Sequence, residues 1–198
     1  MRKACEPLHV QYNALTGMMQ LVNLSLPPCN VSVQATIYDL QGSPLWQRTA
    51  RVESLTDTTV DCFWIGAPEG YEGTYFLTLT LETEALKVQP TKNVYVLSTK
   101  PSQQDLFELG NTQVSIKTTA NKDKYIITNT GQLPALMLHL DLWDEDDEQI
   151  LPVFFSENYF HLMPGESMPV TIQWNEEDMR GGNPHLFLEG FNVDSQVF

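Results

Sequence analysis

The chain reads as an all-β protein, two tandem immunoglobulin-like antiparallel sandwiches, and three observations lead there. Apolar and polar residues alternate with a period of two in several segments, as Val31, Val33, Ala35 and Ile37 do against Ser32, Gln34, Thr36 and Tyr38; that is the period of a strand with one buried face. Short runs of this kind recur between Pro- and Gly-bearing connections, which reverse an extended chain. The rhythm breaks once, near residues 99–111, and then resumes. With 198 residues there is enough chain for two cores of about a hundred residues each.

The first domain is expected over residues 1–98, its folded part starting near residue 6. Its runs are 8–12, 18–26, 31–40, 45–52, 58–65, 74–83 and 93–98. The sixth repeats the clean alternation, with Tyr75, Leu77, Leu79 and Leu81 set against Thr74, Phe76, Thr78 and Thr80. Pro27-Pro28, Gln41-Gly42-Ser43-Pro44, Pro68-Glu69-Gly70 and Glu72-Gly73 separate the runs. Residues 99–111 form the expected linker, in which Ser102-Gln103-Gln104-Asp105 ahead of Leu106 and Phe107 can cap a short helical turn.

The second domain is expected over 112–198, with runs at 113–120, 124–130, 135–143, 150–155, 159–162, 168–174 and 185–193. Leu136, Leu138, Leu140 and Leu142 turn inward, which sends Met137, His139, Asp141 and Trp143 to the opposite face. Met168, Val170, Ile172 and Trp174 form another alternating set. The stretch from Pro152 to Glu166 combines two aromatic-rich runs with a Ser156-Glu157-Asn158 turn and a closing Pro164-Gly165, a pair of short strands held by turn chemistry.

Charge and composition exclude some functions. A net charge of −14 and a scarcity of Lys and Arg clusters argue against nucleic acid as a partner. No apolar run approaches the roughly 18 residues of a membrane-spanning helix, so no membrane partner is expected. Met1-Arg2-Lys3 is followed by Ala-Cys-Glu-Pro instead of an apolar signal core, which leaves the chain without an address of its own and suggests a piece of something longer. Cys5, Cys29 and Cys62 show no metal-ligand spacing. They read as free thiols, with a Cys29–Cys62 bridge as the competing arrangement.

Candidate chemistry is sparse. Asp144-Glu145-Asp146-Asp147-Glu148 lies between two strand runs and reads as a solvated hairpin tip, with calcium the sharper alternative. His9, His139, His161 and His185 are scattered singly and read as half-buried sheet residues. A trio of Ser167, His139 and Asp141 lacks the surroundings of a nucleophile. Trp174 and Trp64, the latter alternating with Val60 and Cys62, read as core. Trp46 and Trp143 fall on the other faces and are the candidates for contact with sugar or with another domain. Asn23-Leu24-Ser25 and Asn30-Val31-Ser32 fit the glycosylation triplet. No catalytic residue, metal site or cofactor is expected.

Five segments carry a resemblance. The Ser156-Glu157-Asn158-Tyr159-Phe160 and Leu162-Met163-Pro164-Gly165-Glu166 segments resemble a motif near the C-terminus of family 2 glycoside hydrolases, in the exo-β-D-glucosaminidase and β-mannosidase-like branch, with Glu157 replacing the usual Asp. Asn93-Val94-Tyr95-Val96-Leu97-Ser98-Thr99-Lys100-Pro101 is similar to the segment closing the first of that family's two C-terminal sandwiches. Cys5 to Tyr12 resembles the opening of the same domain, and Pro184 to Asn192 the closing strand of the last. The resemblance implies a non-catalytic accessory fragment whose partner is a catalytic (β/α)8 barrel of the same parent chain, itself secreted or periplasmic. The alternative is an independent carbohydrate-binding module that takes oligosaccharide; a sandwich adhesin or chaperone is a third. On these assignments the fragment hydrolyses no glycoside and binds chito- or manno-oligosaccharide weakly or not at all.

Overall fold

In the computed structural model, which describes residues 5–83, 91–121, 123–145, 148–175 and 183–198, the chain is all-β and divides into two compact units, 1–106 and 107–198. All strand pairings are antiparallel.

Unit one holds β1 (Leu8–Asn13), β2 (Met18–Asn23), β3 (Cys29–Tyr38), β4 (Pro44–Ser54), β5 (Thr58–Trp64), β6 (Thr74–Glu82) and β7 (Thr91–Ser98). They form a three-stranded sheet ordered β1-β2-β5 and a four-stranded sheet ordered β4-β3-β6-β7. The alternation seen in the sequence packs the space between them: Val31, Val33, Ala35 and Ile37 from β3 and Tyr75, Leu77, Leu79 and Leu81 from β6 meet Leu8, Val10, Met19 and Leu21. Side chains of β7 also tie the sheets together. The Tyr95 hydroxyl accepts the Tyr12 N–H at 3.0 Å, and Asn93 Nδ2 donates to the Val10 carbonyl at 2.6 Å.

A 3₁₀ turn over Gln104–Glu108 follows, with the Ser102 hydroxyl accepting the Gln104 N–H as the sequence suggests. Residues 99–105 are sewn to unit one. Thr99 exchanges hydrogen bonds with Gly73, and the Asp105 carboxylate accepts both the N–H and the hydroxyl of Thr74.

Unit two holds β8 (Val114–Thr118), β9 (Lys124–Asn129), β10 (Ala135–Trp143), β11 (Val153–Phe155), β12 (Phe160–Leu162), β13 (Ser167–Trp174), β14 (His185–Gly190) and β15 (Val193–Val197). The two sheets are ordered β11-β13-β9-β8 and β12-β10-β14-β15. Leu138, Leu140 and Leu142 of β10 meet Ile127, Val170 and Ile172 in the core, while Met168 and Trp174 pack at its margin. The expected single closing strand over 185–193 is two strands joined by a tight turn. The buried Asn192 side chain makes that reversal: its amide donates to the Pro134 and Gly110 carbonyls, and its oxygen accepts the Leu136 N–H.

The pair of short strands around Ser156–Asn158 is present, and its members lie in different sheets, β11 against β13 and β12 against β10. The turn between them is therefore a crossover. Ser156 fixes its start by accepting the Thr171 N–H at 2.8 Å on its hydroxyl. Asn158 fixes its end, accepting the Leu140 N–H at 2.9 Å and donating to the Leu140 carbonyl at 3.0 Å, so a side-chain amide extends the ladder just before β12 begins. These bonds give the motif a structural explanation.

Candidate functional site

An aromatic cleft in unit one is built around a residue expected in the core. Trp64 is 63% exposed. The reason is a bulge: Met19 pairs with Phe63 and Gln20 with Asp61, so Cys62 is left over between them. An extra residue reverses the facing of everything beyond it. Phe63 and Ile65 therefore enter the core, and Trp64 turns outward.

Two glycines receive the outward indole. A Cβ on Gly17 would lie 2.6 Å from Trp64 Nε1, and one on Gly66 would lie 2.2 Å from Cη2. The ring thus spans both positions, its pyrrole edge at Gly17 and its benzo edge at Gly66. Gly17 also has φ +72°, a conformation that side-chain-bearing residues rarely adopt, and its carbonyl accepts the Ile65 N–H.

The cleft beside this ring has a volume of about 500 Å³, with Trp46, Arg48, Glu69 and Tyr71 among its lining residues. Trp46 is half-buried and not simply exposed, because it leans on the core with its ring edge-on to Phe63 at 6.4 Å. The Arg48 guanidinium lies 4.7 Å from the centre of the same Phe63 ring. The Tyr71 hydroxyl accepts the Leu40 N–H and donates to the Thr74 carbonyl, which fixes the 68–71 turn that carries Glu69.

Trp143 is elsewhere, on the outer face of β10 in unit two. It too is half-buried, its ring 5.9 Å from that of Phe187, and its buried Nε1 has no hydrogen-bond partner among the described residues. Along the same strand, His139 stacks on Tyr159 at 4.5 Å and lies 3.6 Å from both Asp141 and Glu189. Ser167 hydrogen-bonds Thr128 in the other sheet, so no nucleophile stands beside His139 and Asp141.

The acidic stretch also departs from expectation. Asp144 is buried, 4% exposed, and accepts the Glu148 N–H at 3.0 Å, closing the turn from within; a buried carboxylate requires such donors. Glu145 accepts the Asn183 N–H at 2.8 Å. Asp146 and Asp147 lie outside the described residues. Among the described residues no three His, Cys, Asp or Glu side chains are grouped to hold a metal ion. His9 is buried, not half-buried, and bonded to the Glu6 carbonyl, and Asn23, the first glycosylation candidate, is buried with its amide spent on Leu26 and Ser54. The three thiols are free, and burial pushes that of Cys62 up to about 11, aided by Asp61 and opposed by a backbone bond at Leu21.

Fold and site together define a two-unit immunoglobulin-like β-sandwich protein with an aromatic cleft and no assembled hydrolytic centre among the described residues. Residues 93–193, from β7 to the start of β15, match the profile of the exo-β-D-glucosaminidase Ig-fold domain. The chain belongs to that family. It is 29% identical to an exo-β-D-glucosaminidase of Streptomyces avermitilis across 99% of its own length and 25% of that protein's. It is 26% identical to the Amycolatopsis orientalis enzyme of the same name, across 99% and 22%. A mannosylglycoprotein endo-β-mannosidase of Lilium longiflorum matches at 24% identity, across 100% and 28%. Among solved structures, the A. orientalis exo-chitosanase CsxA superposes with a TM-score of 0.85 at 23% identity, over all of this chain and 27% of that one, which establishes likeness of fold. The chain spans about a quarter of the length of these relatives.

Proposed function

We propose that this chain is the non-catalytic accessory region of an exo-β-D-glucosaminidase-type glycoside hydrolase and packs against that enzyme's catalytic (β/α)8 barrel. The observation that carries the reading is the end-to-end match of both units with one quarter of larger glycosidases. Glycoside hydrolysis needs two carboxylates about 5–9 Å apart in a cleft, and the densest acidic stretch here is spent on closing a turn through Asp144. In the proposed arrangement residues 1–98 and 112–198 are the two sandwich domains, joined through 99–111.

The outer face of β10 supports a docking role. Trp143 with Phe187, and the exposed Met137 and Tyr159, present apolar area away from the core, as a former interface does. Trp143 is accordingly assigned to domain contact. The test uses the chain alone and then mixed with the S. avermitilis relative lacking its matching quarter. Alone, the chain should release no nitrophenol from an aryl β-D-glucosaminide; turnover would overturn the non-catalytic assignment. Mixed, the two should co-sediment, and failure to do so would overturn the packing assignment.

The carbohydrate-binding alternative gains one specific observation, the exposed Trp64 beside Trp46. An accessory region can carry such a site without catalysing anything.

A further inference from the structure

We propose that the Trp64 cleft of unit one is a binding subsite for β-linked glucosamine oligosaccharides, with the indole as its platform and Glu69 as the partner of a sugar ammonium group. This rests on the accessory-region reading for its substrate class, and on the geometry of unit one for its place.

Platform geometry comes first. Pyranose rings present a face of C–H groups that packs on an aromatic ring, and the ring must be open on one side and held from the other. Trp64 meets both conditions, being largely exposed and seated over Gly17 and Gly66, either of whose side chains would occupy its place. A core role would have put this residue inward and Phe63 outward; the bulge at Cys62 does the opposite.

The wall chemistry agrees. Trp46 offers a second aromatic surface, and its edge contact with Phe63 fixes its orientation. Arg48, lying over the Phe63 ring, offers guanidinium donors to hydroxyl groups, while Glu69 on the 68–71 turn is the carboxylate of the lining. A cleft of about 500 Å³ is within the range of small-molecule sites. The protein as a whole carries a charge of −14, which draws a cationic oligomer and gives a neutral one no such advantage. An amino sugar fits this lining better than an N-acetylated sugar, which has no ammonium group to offer Glu69.

The experiment is calorimetric titration, with tryptophan fluorescence in parallel, of the full chain with the β-1,4-glucosamine trimer and with its N-acetylated counterpart. The glucosamine trimer should bind, more tightly than the acetylated one, and added salt should weaken it. Trp64→Ala should weaken it at least about tenfold, a loss of about 1.4 kcal/mol, with the thermal midpoint of the chain unchanged because the ring is outside the core. Gly66→Ala keeps the indole and takes away its seat, so it should weaken binding several-fold. Glu69→Gln should abolish the preference for the glucosamine trimer, and Trp143→Ala should change nothing. Absence of binding up to about 10 mM, unaltered binding by Trp64→Ala, or equal affinity for both trimers would overturn the proposal. Hydrolysis by the chain would count against the accessory reading instead, so the two failures are distinguishable.

Discussion

Asn158 offers the sharpest test of the view that the Ser156–Phe160 motif is structural. Leu140, whose backbone the Asn158 amide pairs in both directions, is fully buried, and β12 begins only at Phe160, so no strand residue replaces that amide. Asn158→Ala strands one N–H and one C=O. A buried polar group left without a partner costs about 1–3 kcal/mol; because Asn158 is itself half-buried and water reaches part of the gap, about 2–3 kcal/mol in total is expected. Urea unfolding followed by fluorescence would read this as a fall of about 1–2 M in the midpoint, at the slopes usual for small domains. Asn158→Asp is the more discriminating change, because it keeps the acceptor for the Leu140 N–H and sets a carboxylate against the Leu140 carbonyl. Its loss should equal or exceed that of alanine near neutrality and shrink on acidification, when a protonated carboxyl can donate. A loss below about 0.5 kcal/mol for both variants would refute the reasoning, since water would then satisfy the strand unaided.

Asp105 should confer acid sensitivity on unit one. Burial pushes its carboxyl upward, but the hydrogen bonds from the Thr74 hydroxyl and N–H, with the Lys100 charge, outweigh this and hold it below the usual carboxylate range. Such a group stabilises fully above its unfolded pKa and ceases to do so as pH falls through the lower folded value; Asp105→Asn should therefore flatten the acid limb of a pH–stability profile, and an unchanged limb would contradict this. Cys62, with its raised pKa, forms little thiolate at pH 8. Iodoacetamide should label exposed Cys5 well before Cys62, as peptide mapping would show, and the reverse order would contradict the burial assigned to Cys62. Phe107, 79% exposed at the first residue of unit two, should be the first site of limited chymotrypsin cleavage, giving two pieces of similar size. A first cut within residues 30–90 would count against two independently packed sandwiches.

Much of the fold was legible in the sequence because a strand's side chains alternate whatever they pack against. The β3, β6 and β10 sets declared their buried faces, and glycines such as Gly42, Gly70 and Gly165 marked reversals that take positive φ. The Ser-Glu-Asn-Tyr-Phe motif likewise pointed to the right family, since its side chains bond to fixed backbone positions and so constrain residue type directly. Facing near the cleft was a different matter. Val60-x-Cys62-x-Trp64 and Phe63-x-Ile65 are both apolar alternations, and nothing local decides between them; the choice is made by where β2 places its hydrogen bonds, which shifts the register at Cys62. Asp144 is a similar case, for five acidic residues in a row read as solvated until the fold supplies the Glu148 N–H that lets one of them be buried. The sequence by itself determined most of the strands, their faces before any bulge, and the family, though not the split of the last run into β14 and β15. The tertiary structure alone decided which aromatic ring stands at the surface, because a bulge is a property of two strands paired and is invisible in either one.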